Sequence, residues 1–126
     1  MKNLIRGVLL ILFALALVAP ALQAEDNRYA AIAYSPSTNH WGWGTNYPTK
    51  DEAIARAVRE CGRDDAQTNW CRNAWIALAI SDKNPGGWGS AWGKTAAAAR
   101  KAAKKECLAR NRDARVVACV WAYASD

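Results

Sequence analysis

Three observations predict an α+β domain, a largely antiparallel sheet of about five to six short strands with two helices packed on it. The chain repeats itself at an offset of 46 residues, each repeat holds an alanine-rich stretch opened by a threonine, and the flanking segments alternate with period two.

The first element is not part of that fold. Lys2 and Arg6 precede an apolar run from Val8 to Ala19, which stops at Pro20 before Ala21-Leu22-Gln23-Ala24. A run of about a dozen residues is too short to span a bilayer, which needs about 20, and matches a secretory leader. Residues 1–24 are therefore expected to be a cleaved signal peptide, residues 25–126 a single domain, and the location periplasmic or secreted. The mature part holds 15 basic and 11 acidic residues, a net charge of +4, too mild for a nucleic-acid signature. No later segment is apolar enough to cross a membrane.

Ala31-Ile32-Ala33-Tyr34-Ser35 superposes on Ala77-Leu78-Ala79-Ile80-Ser81, and Glu60-Cys61 on Glu106-Cys107. The two copies run over about 29–75 and 76–123. In the first, Tyr29 to Tyr34 is a strand ended by the turn formers Ser35-Pro36-Ser37-Thr38-Asn39. Trp41 to Thr45 is a second strand, with Trp41 and Trp43 on one face and Gly42 and Gly44 on the other. Thr49 with Glu52 has capping-box spacing, and Gly62 ends the helix they open. Trp70 to Ile80 reads as one return strand serving both copies, with Ile76, Leu78 and Ile80 on one face and Trp75, Ala77 and Ala79 on the other. In the second copy Trp88 to Gly93 repeats the Trp/Gly strand, Thr95 caps a helix to about Arg110, and Arg115 to Tyr123 closes the sheet. Both helices are expected on one face of the sheet.

Four cysteines in an exported chain point to disulfides. The repeat makes Cys61–Cys71 with Cys107–Cys119 the economical pairing, each bridge stabilising by about 3 kcal/mol in the chain-entropy model.

The blocks 29–37, Trp-Gly-Trp-Gly at 41–44, Asp51 to Ala57 ending in Cys61, and the second Trp-Gly and alanine-rich helix ending in Cys107 are similar to the bacterial Domain of Unknown Function 4189 family. The resemblance covers nearly all of 29–123. It implies a small exported bacterial protein and supplies no catalytic residues. The chain departs from the pattern at Ser90, which stands where the repeated tryptophan is expected, with Trp92 following later.

Enzymatic chemistry finds little support. The one histidine, His40, lies in a turn without an obvious partner. The cysteines are expected in pairs, Ser90 lies outside any Gly-x-Ser-x-Gly elbow, and Asp64-Asp65 read as solvent-facing loop residues. No catalytic residue, cofactor or metal site is expected.

Two features remain for binding. Seven tryptophans supply nearly all the large aromatic surface of the mature chain, and most are expected to fill a core that alanine-faced helices leave open. Trp41, Trp43, Trp88 and Trp92 are the alternative, an exposed face for sugar rings or a protein partner. Basic charge also crowds the second helix at Arg100, Lys101, Lys104 and Lys105. There, Arg100 and Lys104 replace Ile54 and Val58 of the first. Such a flank suits an acidic protein or an anionic envelope component, though a merely solvated face has the same composition. The expected function is an exported, non-enzymatic interaction module, in its sharper form an inhibitor or immunity protein for a cell-envelope partner. A cell-wall or glycan-binding domain and a secreted host-interaction protein are the alternatives.

Overall fold

The computed structural model describes residues 26–125. The expected leader, residues 1–24, lies outside the described residues. The elements are β1 (Tyr29–Tyr34), β2 (Trp41–Tyr47), α1 (Lys50–Cys61), β3 (Gln67–Arg72), β4 (Trp75–Ile80), β5 (Trp88–Gly93), α2 (Ala96–Leu108) and β6 (Arg115–Trp121). Each half runs strand, strand, helix, strand, and the fold class is α+β.

All strand pairs are antiparallel, but the six strands form two sheets of three, ordered β2-β1-β3 and β5-β4-β6. The single return strand expected over 70–80 is interrupted. Asn73 takes a left-handed φ of 53°, and the chain leaves one sheet there and enters the other. A continuous strand would have merged the halves; the break lets each complete its own sheet.

Strand periodicity then sets the layers. The even-numbered side chains Ala30, Ile32 and Tyr34 of β1 meet Ile76, Leu78 and Ile80 of β4 in a central core between the sheets. The odd-numbered Ala31 and Ala33 face Ala53, Ala57 and Cys61 of α1, and Ala77 and Ala79 face Ala99, Ala103 and Cys107 of α2. The helices therefore lie on the two outer surfaces of a sandwich, not together on one face.

Alanine on both sides of each seam brings helix and sheet backbones close. A Cβ on Gly42 would stand 2.5 Å from the Cys61 nitrogen and 2.6 Å from the Ala57 oxygen. Gly89 meets α2 in the same way at Cys107 and Ala103. Thr49 and Thr95 cap the helices by accepting from the Glu52 and Ala98 amides, and Gly62 ends α1 with φ 68°.

Each half is pinned by a serine and an aspartate. The Ser35 hydroxyl and the Ser37 amide donate to Asp65, and the Ser81 hydroxyl and the Asp82 and Lys83 amides donate to Asp113. Each carboxylate ties the end of the first strand of its half to the segment entering the last.

None of the four cysteines is paired in the structure, and the sulfurs of each expected pair lie apart. Cys71 lies in the central core and Cys61 in the seam under α1, on opposite faces of their sheet. The Cys107 sulfur contacts the Asp113 carbonyl beyond the end of α2, whereas that of Cys119 contacts Ala96 in its first turn. Those two ends of α2 are about 16 Å apart at 1.5 Å per residue, beyond disulfide reach. The repeat misled at this point because Cys71 lies opposite Ala30 and Cys119 opposite Ala77, so the two are not equivalent positions. Trp70, opposite Ala31, is the true counterpart of Cys119.

Candidate functional site

Burying Ala99, Ala103 and Cys107 turns the opposite surface of α2 outward, where Arg100, Lys101, Lys104 and Lys105 are all exposed. Three of them, Arg100, Lys101 and Lys104, line an open groove of about 760 Å³ between α2 and β6. Arg115 completes the rim, and Ala114 and Val116, half-buried, form an apolar floor. Lys105 lies outside this lining.

No carboxylate lines the groove. Arg115 makes a bidentate pair with Asp82, at 3.0 and 3.1 Å, which fixes its guanidinium at one end. Among the described residues the ion pairs are this one and Arg56–Glu60, so Arg100, Lys101 and Lys104 carry uncompensated charge. In the first half the position of Arg100 belongs to Ile54, which packs with Ala66 onto the α1 seam. The same helix–strand junction is thus closed by apolar contact in one half and lined by cations in the other.

The four tryptophans of the expected aromatic face do not form one surface. Gly42 and Gly89 point at the helices, so the alternating tryptophans point toward the opposite sheet. Trp41 and Trp88 are half-buried against the central core, Trp88 with its ring 5.8 Å from that of Tyr34. Trp43 and Trp92 overhang different edges and are 42% and 59% exposed. Trp43 lies beside Arg56 and Glu60, whereas Trp92 shares a groove of about 600 Å³ with Tyr29, Asn69, Trp70 and Arg72. Trp70 is 41% exposed and carries the Lys50 ammonium 5.1 Å from its ring. Trp75 and Trp121 stack at 5.3 Å on the outer side of the second sheet. None of the seven is fully buried, and the core is built from alanine, isoleucine, Leu78 and Tyr34 instead.

The expected departure at Ser90 has a structural counterpart. Ser90 lies opposite Leu78 as Trp43 lies opposite Ile32, and its hydroxyl donates to the Ala77 carbonyl and accepts from the Asn69 amide. The position equivalent to Asn69 in the other half is Ala118. Trp43 and Ala118 thus occupy the positions that correspond to the hydrogen-bonded Ser90 and Asn69.

Sequence reasoning missed Asp65 as a bound group. The Ser35 hydroxyl, followed by Ser37, holds its carboxyl down to about 2, and Asp113 is lowered first by Ser81. The equivalence of Ser35 and Ser81 was the available signal. Burial pushes the Cys71 thiol up to about 11 and raises Cys61 and Cys107 too, so these sulfurs stay protonated at neutral pH. His40 contacts Arg63 at 3.2 Å in an exposed turn.

Comparison with known proteins bears on the whole framework. A family model described as Domain of unknown function (DUF4189) matches residues 29–121, which takes in all six strands and both helices. The chain belongs to this family. Among curated relatives, protein Rv1269c of Mycobacterium tuberculosis (strain ATCC 25618 / H37Rv) and protein Mb1300c of Mycobacterium bovis (strain ATCC BAA-935 / AF2122/97) are each 40% identical over 55 residues. Each alignment covers 44% of this chain and 44% of the relative, so the matched part is under half of either protein. No solved structure matches the chain. No described helix of this member is long and apolar enough to cross a membrane.

Proposed function

We propose that this family member is an exported, non-enzymatic interaction module that holds an anionic partner in the α2/β6 groove. The observation that carries the reading is the groove itself, where Arg100, Lys101 and Lys104 rim an apolar floor with no lining carboxylate. A face that only kept the protein soluble would tolerate mixed charge. Here, Arg100 with Lys104 and Lys101 with Lys105 are like-charged i,i+4 neighbours, each pair costing the helix a few tenths of a kcal/mol, about 0.2–0.5. An acidic partner relieves that repulsion. The leader-like residues 1–24 support an envelope or extracellular partner, and an inhibitor or immunity protein acting there is the sharper form of the reading. The Trp70/Trp92 groove supports glycan binding as the second reading, since exposed aromatic faces beside Asn69 and Arg72 suit a sugar ring.

The test compares wild type with an Arg100→Glu/Lys104→Glu variant for retention of acidic envelope proteins and of purified peptidoglycan across a salt series. The reading expects salt-sensitive retention of an acidic protein that the variant loses. Equal retention by the variant at low salt sinks it. Peptidoglycan binding lost on Trp92→Ala favours the glycan reading.

A further inference from the structure

We infer that the occupant of the groove is an extended acidic peptide that adds a strand to the outer edge of β6; this rests on the proposed anionic partner and specifies its backbone. The direction of the backbone groups carries it. In an antiparallel strand each residue sends its N–H and C=O to the same side, alternating along the chain. The Ala74 carbonyl accepts from the Ala122 amide, so in β4 the even-numbered residues address β6. The Ala77 carbonyl accepts from Ser90 and the Ser81 amide bonds Gly87, so the odd-numbered ones address β5. With Ile76 opposite Val120 and Leu78 opposite Ala118, Val120 and Ala118 turn inward. Cys119 and Trp121 turn outward.

β6 is the end strand of its sheet, and among the described residues the Cys119 and Trp121 amides have no acceptor. The Trp121 carbonyl is already used by the Ala124 amide. The corresponding edge of the other half is covered at one amide. On β3 the outward amide of Trp70, counterpart of Cys119, donates to the Asn69 side chain at 2.9 Å. Ala118 replaces Asn69 in β6 and offers no such cover. Edge strands are ordinarily blunted by charge or polar cover. β3 carries Gln67, Thr68, Asn69 and Arg72, while β6 beyond Arg115 reads Val116-Val117-Ala118-Cys119-Val120-Trp121.

The open edge and the cationic rim lie side by side, since Val116 belongs to both. A peptide strand along β6 would project alternate side chains toward α2, where Arg100, Lys101 and Lys104 select carboxylates, and bond the outward amides with its carbonyls. A second copy of this chain is disfavoured as occupant, because edge-to-edge pairing would bring two such cationic rims together.

The test uses a heptapeptide of alternating glutamate and valine, the same peptide N-methylated at alternate backbone nitrogens, and heptaglutamate. Amide hydrogen exchange and fluorescence titration are the readouts. The inference expects the alternating peptide to slow exchange at Cys119 and Trp121, and N-methylation at unchanged charge to weaken binding by about tenfold or more. If all three ligands bind alike and exchange at Cys119 is unchanged, the strand is refuted while the anionic-partner reading stands. If Arg100→Glu/Lys104→Glu binds the alternating peptide as well as wild type does, the anionic-partner reading fails as well. Absence of binding at millimolar peptide refutes the inference, and so does concentration-dependent protection of Cys119 without peptide, which would assign the edge to a second copy.

Discussion

Adding one methyl group at Gly42 should destabilise the protein more than most single substitutions on its surface. The new Cβ would lie 2.5 Å from the Cys61 nitrogen, 2.6 Å from the Ala57 oxygen and 2.6 Å from the Glu60 Cβ. Ordinary contact between such atoms is about 3.5–4.0 Å, so α1 must retreat by about 1 Å. Two of the three obstructing atoms are helix backbone, which cannot rotate aside as a side chain can. Retreat opens the seam in which Ala53, Ala57 and Cys61 are buried against Ala31 and Ala33. A radial gap of about 0.5–1 Å forfeits a quarter to a half of each contact there. Overpacking of this kind costs about 1–3 kcal/mol, and the rigid obstruction favours the upper end. At about 4–8 °C per kcal/mol for a domain near 100 residues, Gly42→Ala should melt at least about 10 °C below wild type. Gly89→Ala should behave alike against α2. The comparison variant is Gly62→Ala, where the nearest atom is 3.8 Å away and only the φ of 68° opposes the substitution, at a cost of about 1 kcal/mol. Circular dichroism melts with urea titrations check all three. If Gly42→Ala melts within about 2 °C of wild type, the close helix–strand approach is wrong, and the layering built on it must be revised.

Acid should weaken the serine–aspartate clasps. Asp65 titrates near 2 in the folded protein, below its ordinary value of about 3.9, so its contribution is complete above about pH 4 and is lost as pH falls through 2. Asp65→Asn should therefore flatten the urea-midpoint profile between those limits, and an unchanged slope would show that the clasp does not bear on stability. Alkylation under denaturing, non-reducing conditions should count four free thiols; a Cys61–Cys71 or Cys107–Cys119 peptide in the digest would contradict the positions of those sulfurs. Iodide should quench a substantial part of the native fluorescence because Trp92, Trp43 and Trp70 are exposed, and Trp92→Phe should reduce that accessible fraction most. Emission shielded as in a buried core would place the rings elsewhere.

Much of the framework could be read directly from residue order, because its causes are local. Thr49 and Thr95 announce helix starts by a hydrogen bond spanning three residues, and Gly62 announces an end by its left-handed φ. The alternation of Ile76, Leu78 and Ile80 with Trp75, Ala77 and Ala79 separates the two faces of β4 correctly, since strand side chains can point only two ways. The α+β class and the basic flank of α2 follow in the same manner.

The remaining features depended on which faces meet. The break at Asn73 turns an apparently continuous strand into two, because a single residue in a left-handed conformation redirects the chain without altering the polarity pattern. Similar spacing after Cys61 and Cys107 implied equivalent partners, yet the registers of β3 and β6 send Cys71 and Cys119 to opposite faces of their sheets. The tryptophans, expected mostly as core, were displaced from it because the two sheets close on each other through Ile32, Ile76, Leu78, Ile80 and Tyr34. The exposure of the β6 edge likewise followed only from the three-dimensional pairing. Sequence by itself determined both helices, the hairpin strands, the polarity of their faces and the charge of the α2 flank, since capping and periodicity act within a few residues. Tertiary structure alone decided the two-sheet sandwich, the separation of the thiols and the open strand edge beside the cations, because register and sheet order are set by contacts between segments tens of residues apart.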